Sequence, residues 1–529
     1  MAPVPPFNER VLASALEKQA AARPQSRALE FPTFGVSWSY RELLYDTMAI
    51  AGGLQALGVK NGDRLAIMLG NRPEYVLAWW ASLFTGSIDV SINHELTGDL
   101  LAHQLRVSSV SAIVCDNECL PAIQSLADQL PDLEVVIVVD GAKPERRASS
   151  IRLVDFDELA RSRAGACAPR KPAEIVSIRY TSGTTGPAKA VASTNSQLIV
   201  GGSHFNWLTD FKVDDRLYTS FPLHHGLASV IGVSPAILAG ACCIVDDRFS
   251  ASQFWERIRR YEATLAHIIN PIVPMLMAQP PAASDRDHNC SRLWTANRNA
   301  AFENRFATRN IMIYSASEGN VMAYTAPGDE EKPESCGKTS PLFHLQIVDE
   351  NDFPVPPGVE GELQWRPREP HLTFAGYFGD PEATARSSRN FWYCTGDVCR
   401  LDEDGYLYLI GRIGDQIRCK GVNVPASSIE DVAKRFSGVV EAAAIAVPSE
   451  LGESEIKLCL LYEGDKPATE DLVAFLSEHL PKSMRPRYLE FKTSFPRTDT
   501  HKIAKRILRD EGESGLTPGT IDLDRRRSQ

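Results

Sequence analysis

The sequence predicts an α/β fold: a large N-terminal domain of αβ subdomains with a β-rich subdomain, then a small α+β C-terminal domain. Apolar runs of strand length alternate with runs of helical spacing over residues 10–115 and again over 173–330, which is typical of parallel sheets with helices on both faces. Residues 340–410 contain short segments in which apolar and polar residues alternate, separated by Gly and Pro turns, and this pattern favours β-structure. After Gly411 a βαβ pattern returns.

Length and composition exclude several classes of protein. The chain has 529 residues, 43% of them hydrophobic, which at roughly 100–200 residues per domain allows about three to five structural units. No apolar stretch reaches the ~18 residues of a membrane span. The N-terminus has three prolines and early charges instead of the apolar centre of a signal peptide. We therefore expect a cytoplasmic protein with no membrane partner.

The net charge and the pattern of cysteines further limit the kinds of partner that we expect. The net charge is −11, mixed along the chain, whereas a nucleic-acid binder usually shows a basic stripe. The eleven cysteines are scattered, with no histidine at zinc-finger spacing. We therefore expect no nucleic-acid partner, and buried thiols rather than disulfides or a metal site. An oligomer is compatible with the sequence, which carries no signal for its state.

Hydrophobic periodicity predicts individual elements. Ser39–Leu43 opens a run of helical spacing, and Tyr75–Phe84 forms a second one. Residues 140–172, polar and rich in Arg, Ala and Pro, are predicted to be a surface connection. The predicted strands are Arg64–Leu69, Ile88–Ile92, Ala112–Cys115, Val135–Val139, Ile175–Tyr180, Leu345–Val348, Glu362–Trp365, Phe391–Tyr393, Tyr406–Ile410, Ala442–Val447 and Lys457–Tyr462.

The strongest chemical signal is the segment Tyr180–Lys189, YTSGTTGPAK, at the end of a predicted strand. Its glycines let the backbone approach a phosphate, its hydroxyl and N–H groups can hydrogen-bond the oxygens, and its lysine adds a positive charge. This segment lacks the Gly-Lys-Ser/Thr sequence of a Walker loop. The alternative is an ordinary Ser/Thr/Gly surface loop, but such a loop seldom gathers all these groups directly after a strand.

This segment resembles the phosphate loop of the adenylate-forming superfamily, which includes acyl-CoA synthetases, amino-acid adenylation domains and luciferases. The resemblance covers nearly the whole chain, because further motifs follow in the superfamily's order and spacing. Those motifs are Tyr40–Leu43, Gly62-Asp63, Asn71 with Pro73-Glu74, Pro222–His225, Tyr314–Glu318, Gly361–Leu363, Thr395–Asp397, Gly411-Arg412 with Asp415, Gly421, and Pro496–Thr498 with Lys502.

The resemblance implies a two-step reaction and two domains. A carboxylate attacks the α-phosphorus of ATP to give an acyl-adenylate and pyrophosphate, and a thiol then displaces AMP. Residues 1–411 would bind nucleotide and acid, and residues 412–529 would form a mobile C-terminal domain with the catalytic lysine. The implied cofactors are ATP/AMP, Mg²⁺ and coenzyme A, and the implied partner is a small carboxylic acid.

Matching positions imply a nucleotide-binding set. Tyr314 would stack on adenine, Asp397 would accept hydrogen bonds from the ribose hydroxyls, and Arg412 would support the ribose or a phosphate. The β- and γ-phosphates would be held by Thr181, Ser182, Gly183, Thr184, Thr185, Gly186 and Lys189.

Four further positions match groups that act in the reaction. Glu318 would ligate Mg²⁺, which prefers carboxylate oxygen, and Ser317 would reach the phosphate. Lys502 would stabilise charge between the substrate carboxylate and the α-phosphate, and Gly421 would leave room for pantetheine. Taken singly, Glu318 could cap a helix, Asp397 could be a turn aspartate and Lys502 a solvated helix lysine. Their shared order favours the functional interpretation.

The region around the fourth motif bears on the acid. Phe221–Gly226 has no acidic residue to bind an α-ammonium group, so an α-amino acid is disfavoured. His224 and His225 are candidate pocket residues, although a packed histidine is as good an interpretation. No carrier domain follows Lys502, so free CoA is the expected acceptor. The overall pattern places the chain near the carnitine/crotonobetaine-CoA ligase-like branch.

Several positions near the predicted nucleotide site depart from the superfamily pattern. Trp294–Asn299 stands where a glycine-rich loop is usual, Ser315 and His501 replace glycines, and Ala188 and Ala190 replace Pro and Gly. One interpretation is that these positions vary among members of the superfamily without a change of function. The competing hypothesis is a ligase impaired in adenylation, which mainly carries a preformed acyl-adenylate to the thioester.

The expected function is therefore an acid:CoA ligase, an AMP-forming acid–thiol ligase, of secondary or acyl metabolism. The alternatives are the adenylation-impaired ligase, a stand-alone adenylating enzyme that loads a carrier protein, and a non-catalytic nucleotide-binding protein on the same fold. Retention of Lys502 argues against the last of these, because a simple binding protein needs no C-terminal lysine.

Overall fold

The structure is a computed structural model, and it forms two compact units. It describes residues 4–141, 151–181, 188–268, 272–295, 299–326, 329–332, 334–413, 416–419, 422–448, 454–464, 466–497 and 502–523. The first unit comprises residues up to Thr181, Ala188–His344 and Arg366–Ser388, and the second comprises Leu345–Trp365 and the chain from Arg389 onward. The expected domain boundary between residues 411 and 412 divides the chain differently. That boundary stays a prediction, which concerns the domain expected to move during the reaction.

The strands of the first unit form two sheets. They are β1 (Arg27–Phe31), β2 (Val36–Ser39), β3 (Arg64–Met68), β4 (Ile88–Ser91), β5 (Ala112–Cys115), β6 (Val135–Val138), β7 (Arg152–Asp155), β8 (Ile175–Tyr180), β9 (Ala190–Thr194), β10 (Arg216–Thr219), β11 (Cys242–Val245), β12 (Leu265–His267), β13 (Arg292–Thr295), β14 (Arg309–Ser315), β15 (Val321–Tyr324) and β16 (Lys338–Thr339).

The helices of this unit alternate with its strands. They are α1 (Leu12–Ala22), α2 (Tyr40–Ala56), α3 (Pro73–Thr85), α4 (Gly98–Val107), α5 (Leu120–Ser125), α6 (Phe156–Ala160), α7 (Asn195–Thr209), α8 (Gly226–Ala228), α9 (Ser234–Ala239), α10 (Phe254–Arg260), α11 (Ile272–Met277), α12 (Ala300–Phe306) and α13 (Pro381–Arg386). A π-helix, Ser229–Val233, joins α8 to α9.

The seven-stranded sheet has the order β7-β6-β5-β3-β4-β8-β9, and it is parallel except for the β8–β9 pair. Successive side chains of a strand point to opposite faces. Leu65 and Ile67 of β3 accordingly join one buried cluster, and Ala66 and Met68 join another. Burial on both faces explains why this strand reads as a continuous apolar run instead of an alternating one.

The nine-stranded sheet has the order β16-β15-β14-β13-β12-β10-β11-β1-β2, with parallel pairing from β1 to β14. One buried apolar cluster contains side chains of both large sheets and of helices α1, α2, α3, α7 and α9. Helix α2 begins at a capping box: Glu42 N–H donates to Ser39 Oγ at 3.3 Å, and Ser39 N–H donates to Glu42 Oε2 at 2.8 Å. The predicted Ser39 helix start is confirmed.

The second unit is built of smaller sheets. A five-stranded sheet contains β17 (Phe343–Val348), β18 (Gly361–Pro367), β19 (Ser388–Arg389), β20 (Trp392–Leu401) and β21 (Leu407–Arg412). After a hairpin of β22 (Gln416–Cys419) and β23 (Val422–Pro425), a four-stranded sheet holds β24 (Val439–Pro448), β25 (Ser454–Tyr462), β26 (Tyr488–Lys492) and β27 (Ile521–Asp522). Its helices are α14 (Ala426–Ala433), α15 (Thr469–His479) and α16 (Lys505–Asp510).

The predicted fold class is confirmed, with two corrections to local elements. Residues 140–172 contain strand β7, which pairs with β6, and helix α6, which buries Phe156 and Leu159 three positions apart. The strand predicted at Phe391–Tyr393 begins instead at Trp392 and continues to Leu401. None of the helices in the described ranges combines the length and the hydropathy that a membrane span requires.

The turn between β19 and β20 provides a test of backbone strain. Its two residues, Asn390 and Phe391, have φ of 50° and 64°, and Phe391 is 94% exposed. A two-residue hairpin turn of this hand favours Asn-Gly. Phe391→Gly should therefore raise the free energy of unfolding by about 0.5–1 kcal/mol, since relief of strain exceeds the added chain entropy.

Denaturant unfolding of the full chain measures this change. Phe353→Gly is the matched control, because Phe353 is also exposed, at 68%, without a positive φ. That variant should lose stability, and a loss in both variants would contradict the strain argument.

Candidate active site

The predicted phosphate loop leaves β8 and returns in β9. These strands pair antiparallel with Tyr180 opposite Ala190, and Thr181 N–H donates to the Lys189 carbonyl at 3.1 Å. The loop residues Ser182, Gly183, Thr184, Thr185 and Gly186 lie outside the described residues. The Lys189 side chain is exposed, and its Nζ lies 4.8 Å from the centre of the Tyr377 ring.

The predicted adenine residue lies near the end of β14, and the predicted metal residue lies in the turn from β14 to β15. Tyr314 is buried and pairs with Ala323. The carbonyls of Ser317 and Gly319 accept hydrogen bonds from Gln197 Nε2 at 3.1 and 2.8 Å. This glutamine therefore fixes the backbone on both sides of Glu318, which lies in a loop and caps no helix.

Glu318 is held by a second segment, Phe374–Phe378. Phe374 N–H donates to the Glu318 carbonyl at 2.9 Å, and Tyr377 Oη–H donates to Glu318 Oε1 at 2.9 Å. The structure thus brings together Lys189, Glu318 and Tyr377. Within the described residues no group of three or more His, Cys, Asp and Glu side chains forms a cage for a metal ion. Glu318 is a single hard oxygen donor, which fits Mg²⁺ because this ion usually takes one or two carboxylates and keeps several waters.

Asn71 positions the chain that carries the candidate pocket histidines. It lies after β3, and its Nδ2 donates to the carbonyls of Phe221 and Asp246, both at 2.8 Å. Its Oδ1 accepts from Leu223 N–H at 2.8 Å. Through these three hydrogen bonds the buried amide of Asn71 joins the carboxyl ends of β3, β10 and β11.

The two pocket histidines differ. His224 Nδ1 is buried without a hydrogen-bond partner among the described residues. Burial and, to a smaller extent, the neighbouring His225 lower the pKa of His224 to about 3. The exposed His225 accepts a hydrogen bond from Leu227 N–H on Nδ1 at 3.3 Å and so caps α8. His224 is thus neutral at physiological pH.

A buried charged network lies under this segment. Arg179 of β8 lies 3.4 Å from the fully buried Asp89 of β4 and donates to Ser229 Oγ of the π-helix at 3.2 Å. Burial raises the pKa of Asp89, and the Arg179 guanidinium opposes that rise. Ser229 Oγ–H in turn donates to the His225 carbonyl at 3.2 Å. The network therefore connects the strand before the phosphate loop to the histidine segment.

The second unit brings together three other predicted residues. Asp397 of β20 pairs with Arg412 of β21, and their side chains form an ion pair of 2.7 Å. Lys502 lies before α16, not in a helix. Lys502 is exposed as a whole residue, but partial loss of water around its ammonium lowers its pKa. The nearby Arg412 lowers this pKa further, and Asp397 raises it. Gly421 lies outside the described residues.

The positions that depart from the superfamily pattern are spread over several elements. Ala190 is buried in β9, Ala188 is partly buried before it, and Ser315 is exposed at the end of β14. Trp294 and Thr295 are buried at the end of β13, and Asn299 caps α12 through Phe302 N–H at 2.9 Å. Residues 296–298 and His501 lie outside the described residues.

No motif of the sequence points to Tyr377, Gln197 or Arg179. Tyr377 and Glu318 are 59 residues apart in the chain, and Gln197 and Ser317 are 120 apart. No local spacing reveals such pairs. One signal was available for Arg179, because a charged residue in a buried strand requires a partner.

Comparison with known proteins identifies the family of the chain. The model of the AMP-binding enzyme family matches residues 16–378, and that of the AMP-binding enzyme C-terminal domain matches residues 428–502. The chain belongs to the AMP-binding enzyme family. This membership confirms the resemblance to the adenylate-forming superfamily, and with it the prediction of an AMP-forming enzyme of the acyl-CoA synthetase type.

Individual relatives cover nearly the whole chain. The crotonobetaine/carnitine–CoA ligase of Salmonella paratyphi C is 29% identical over 486 residues, which are 89% of this chain and 93% of that protein. The structure of the anthranilate CoA ligase AuaEII with anthranoyl-AMP has a TM-score of 0.85 at 22% identity, covering 96% of this chain and 98% of that one. ATP-bound MatB from Rhodopseudomonas palustris has a TM-score of 0.83 at 22% identity, with coverage of 95% and 98%.

The charges around Lys502 predict how its pKa responds to mutation. Arg412→Gln removes a positive charge that lowers the Lys502 pKa and also frees the negative charge of Asp397. The Lys502 pKa should therefore rise. The pH dependence of Lys502 acylation, followed by peptide mass spectrometry, measures it, with exposed Lys18 as internal reference. A fall in the Lys502 pKa would contradict the charge arrangement.

Proposed function

We propose that this chain is an acid:CoA ligase that converts a carboxylic acid other than an α-amino acid to its acyl-CoA through an acyl-adenylate. The observation that carries the proposal is the cluster of Lys502, Asp397 and Arg412 in the second unit. A lysine with a perturbed pKa beside a carboxylate is typical of a functional site. The names of the relatives, which are CoA ligases, support the same reaction.

In the first half-reaction, negative charge must be neutralised while the acid carboxylate attacks the α-phosphorus. Lys502 would supply a positive charge at the developing oxyanion. Thr181 and Lys189 would hold the outer phosphates, and Asp397 would accept hydrogen bonds from the ribose hydroxyls. Mg²⁺, when bound at Glu318, would neutralise charge on the phosphate oxygens.

In the second half-reaction the thiol of CoA displaces AMP. We propose that residues 412–529 rotate between the two half-reactions, so that Lys502 leaves and Gly421 approaches the adenylate. His224 and His225 would border the acid. A neutral His224 with a buried Nδ1 suits an uncharged polar contact with the acid better than an ion pair.

An adenylation-impaired ligase is the second candidate, favoured by the departures at Ser315, Ala188 and Ala190. ATP–pyrophosphate exchange and thioester formation from synthetic acyl-adenylate, measured on the same preparation, distinguish the two. Vigorous exchange with the cognate acid supports the complete ligase, and thioester formation without exchange supports the impaired one. Offering CoA or a carrier protein as sole acceptor tests the carrier-loading alternative, and an acid screen followed by AMP release identifies the substrate.

Lys502→Ala tests the assigned catalytic role. We expect pyrophosphate exchange to fall by about 10²–10³-fold, as when a transition-state donor is removed, while thioester formation from synthetic acyl-adenylate is retained. Lys434→Ala removes another lysine of the same unit, one paired with Asp431 on the surface, and should change neither rate. Normal exchange in the Lys502→Ala variant would refute the mechanism.

A further inference from the structure

The side chain of Tyr377 contacts both predicted charged ligands of the first unit. Tyr377 is 5% exposed. Its hydroxyl donates to Glu318 Oε1 at 2.9 Å, and its ring faces the Lys189 ammonium at 4.8 Å. One buried side chain thus joins a carboxylate and an ammonium that come from different parts of the chain.

The backbone around Tyr377 is fixed to the strand that follows Lys189. Phe378 N–H donates to the Ala190 carbonyl at 2.7 Å, and Ala192 N–H donates to the Gly376 carbonyl at 3.1 Å. Tyr377 N–H itself donates to Thr384 Oγ1 at 2.9 Å. The ring is therefore placed relative to β9 by backbone hydrogen bonds on both sides of Tyr377.

The hydroxyl contact orients the Glu318 carboxylate without neutralising it. A carboxylate has about four acceptor sites, and among the described residues only Oε1 of Glu318 receives a side-chain hydrogen bond. A neutral phenol leaves the negative charge in place for a cation. Groups that orient a metal-binding carboxylate in this way strongly affect metal affinity.

The ring contact has a complementary effect on Lys189. Among the described residues Lys189 forms no ion pair, and the Tyr377 face is its contact. A cation held over an aromatic ring keeps its charge and its donors. Without the ring, the flexible lysine would be free to move toward the nearby carboxylate.

We propose that Tyr377 is a positioning residue that orients Glu318 for Mg²⁺ and keeps Lys189 available for the phosphates of ATP. It prevents the two opposite charges from pairing with each other. This inference rests on the proposed function, because it assigns Mg²⁺ and ATP to these groups. The tyrosine acts through Glu318 and Lys189 and touches no reacting atom.

Three variants of the full chain separate the two contacts. Tyr377→Phe removes the hydroxyl and keeps the ring, and Tyr377→Leu removes both. The matched control is Tyr218→Phe, because Tyr218 is buried in the same unit and its hydroxyl also donates to a carboxylate, Asp246 Oδ2, at 3.0 Å. ATP binding is measured by calorimetry across a series of free Mg²⁺ concentrations and without Mg²⁺.

For Tyr377→Phe we expect the half-saturating Mg²⁺ concentration for ATP binding to rise about 10-fold, with Mg²⁺-free ATP affinity unchanged. Tyr377→Leu should in addition weaken Mg²⁺-free binding by about two- to fivefold. Thioester formation from synthetic acyl-adenylate should stay within about twofold of wild type in all variants, because that step uses no triphosphate. A purely structural role would lower thioester formation and thermal stability as well.

An unchanged Mg²⁺ midpoint in Tyr377→Phe, or the same shift in Tyr218→Phe, would overturn the role of Tyr377. A wild-type chain that binds Mg²⁺ and ATP but forms no acyl-CoA with any acid would refute the proposed function. In that case the half-saturating Mg²⁺ concentration of the Tyr377→Phe variant would still decide the role of Tyr377. A wild-type chain without Mg²⁺-dependent ATP binding would refute both.

Discussion

The amide of Asn71 joins the carboxyl ends of the two large sheets. Its three hydrogen bonds reach from the end of β3 to the segments that follow β10 and β11. In open α/β sheets ligands bind at the carboxyl ends of the strands, so the relative position of these ends determines the shape of the candidate site. This contact holds the segment with His224 and His225 to the end of β3, and Ser229 in the π-helix that follows accepts a hydrogen bond from Arg179.

A second constraint is that opposite charges must stay close without cancelling each other. In the first unit the neutral Tyr377 satisfies this condition for Lys189 and Glu318. In the second unit, by contrast, Asp397 and Arg412 do form an ion pair, and both charges act on Lys502. The lowered pKa of Lys502 and the raised pKa of the buried Asp89 have the same first cause, because loss of water around a charged group penalises its charged form.

Much of the fold followed from local pattern. Strands such as Ile175–Tyr180 and Ala112–Cys115 have the predicted bounds. An apolar run of that length between turn residues is compatible with few structures other than a buried strand. The errors occurred where local and tertiary preferences differ. Phe391 reads as a strand residue, yet it occupies a turn because the pairing of β19 with β20 demands two left-handed residues there.

The sequence by itself determined the family and the identity of most candidate residues, because motif order along the chain survives at low identity. It also determined the chemistry available: a hydroxyl-rich loop, a carboxylate for a hard cation and a C-terminal lysine. Only the tertiary structure decided which neighbours orient these groups. Tyr377, Gln197 and Asn71 act across 59, 120 and 152 residues of chain. Hydrogen bonds of a few ångströms between such distant residues depend on how sheets and helices pack, and no spacing along the chain encodes them.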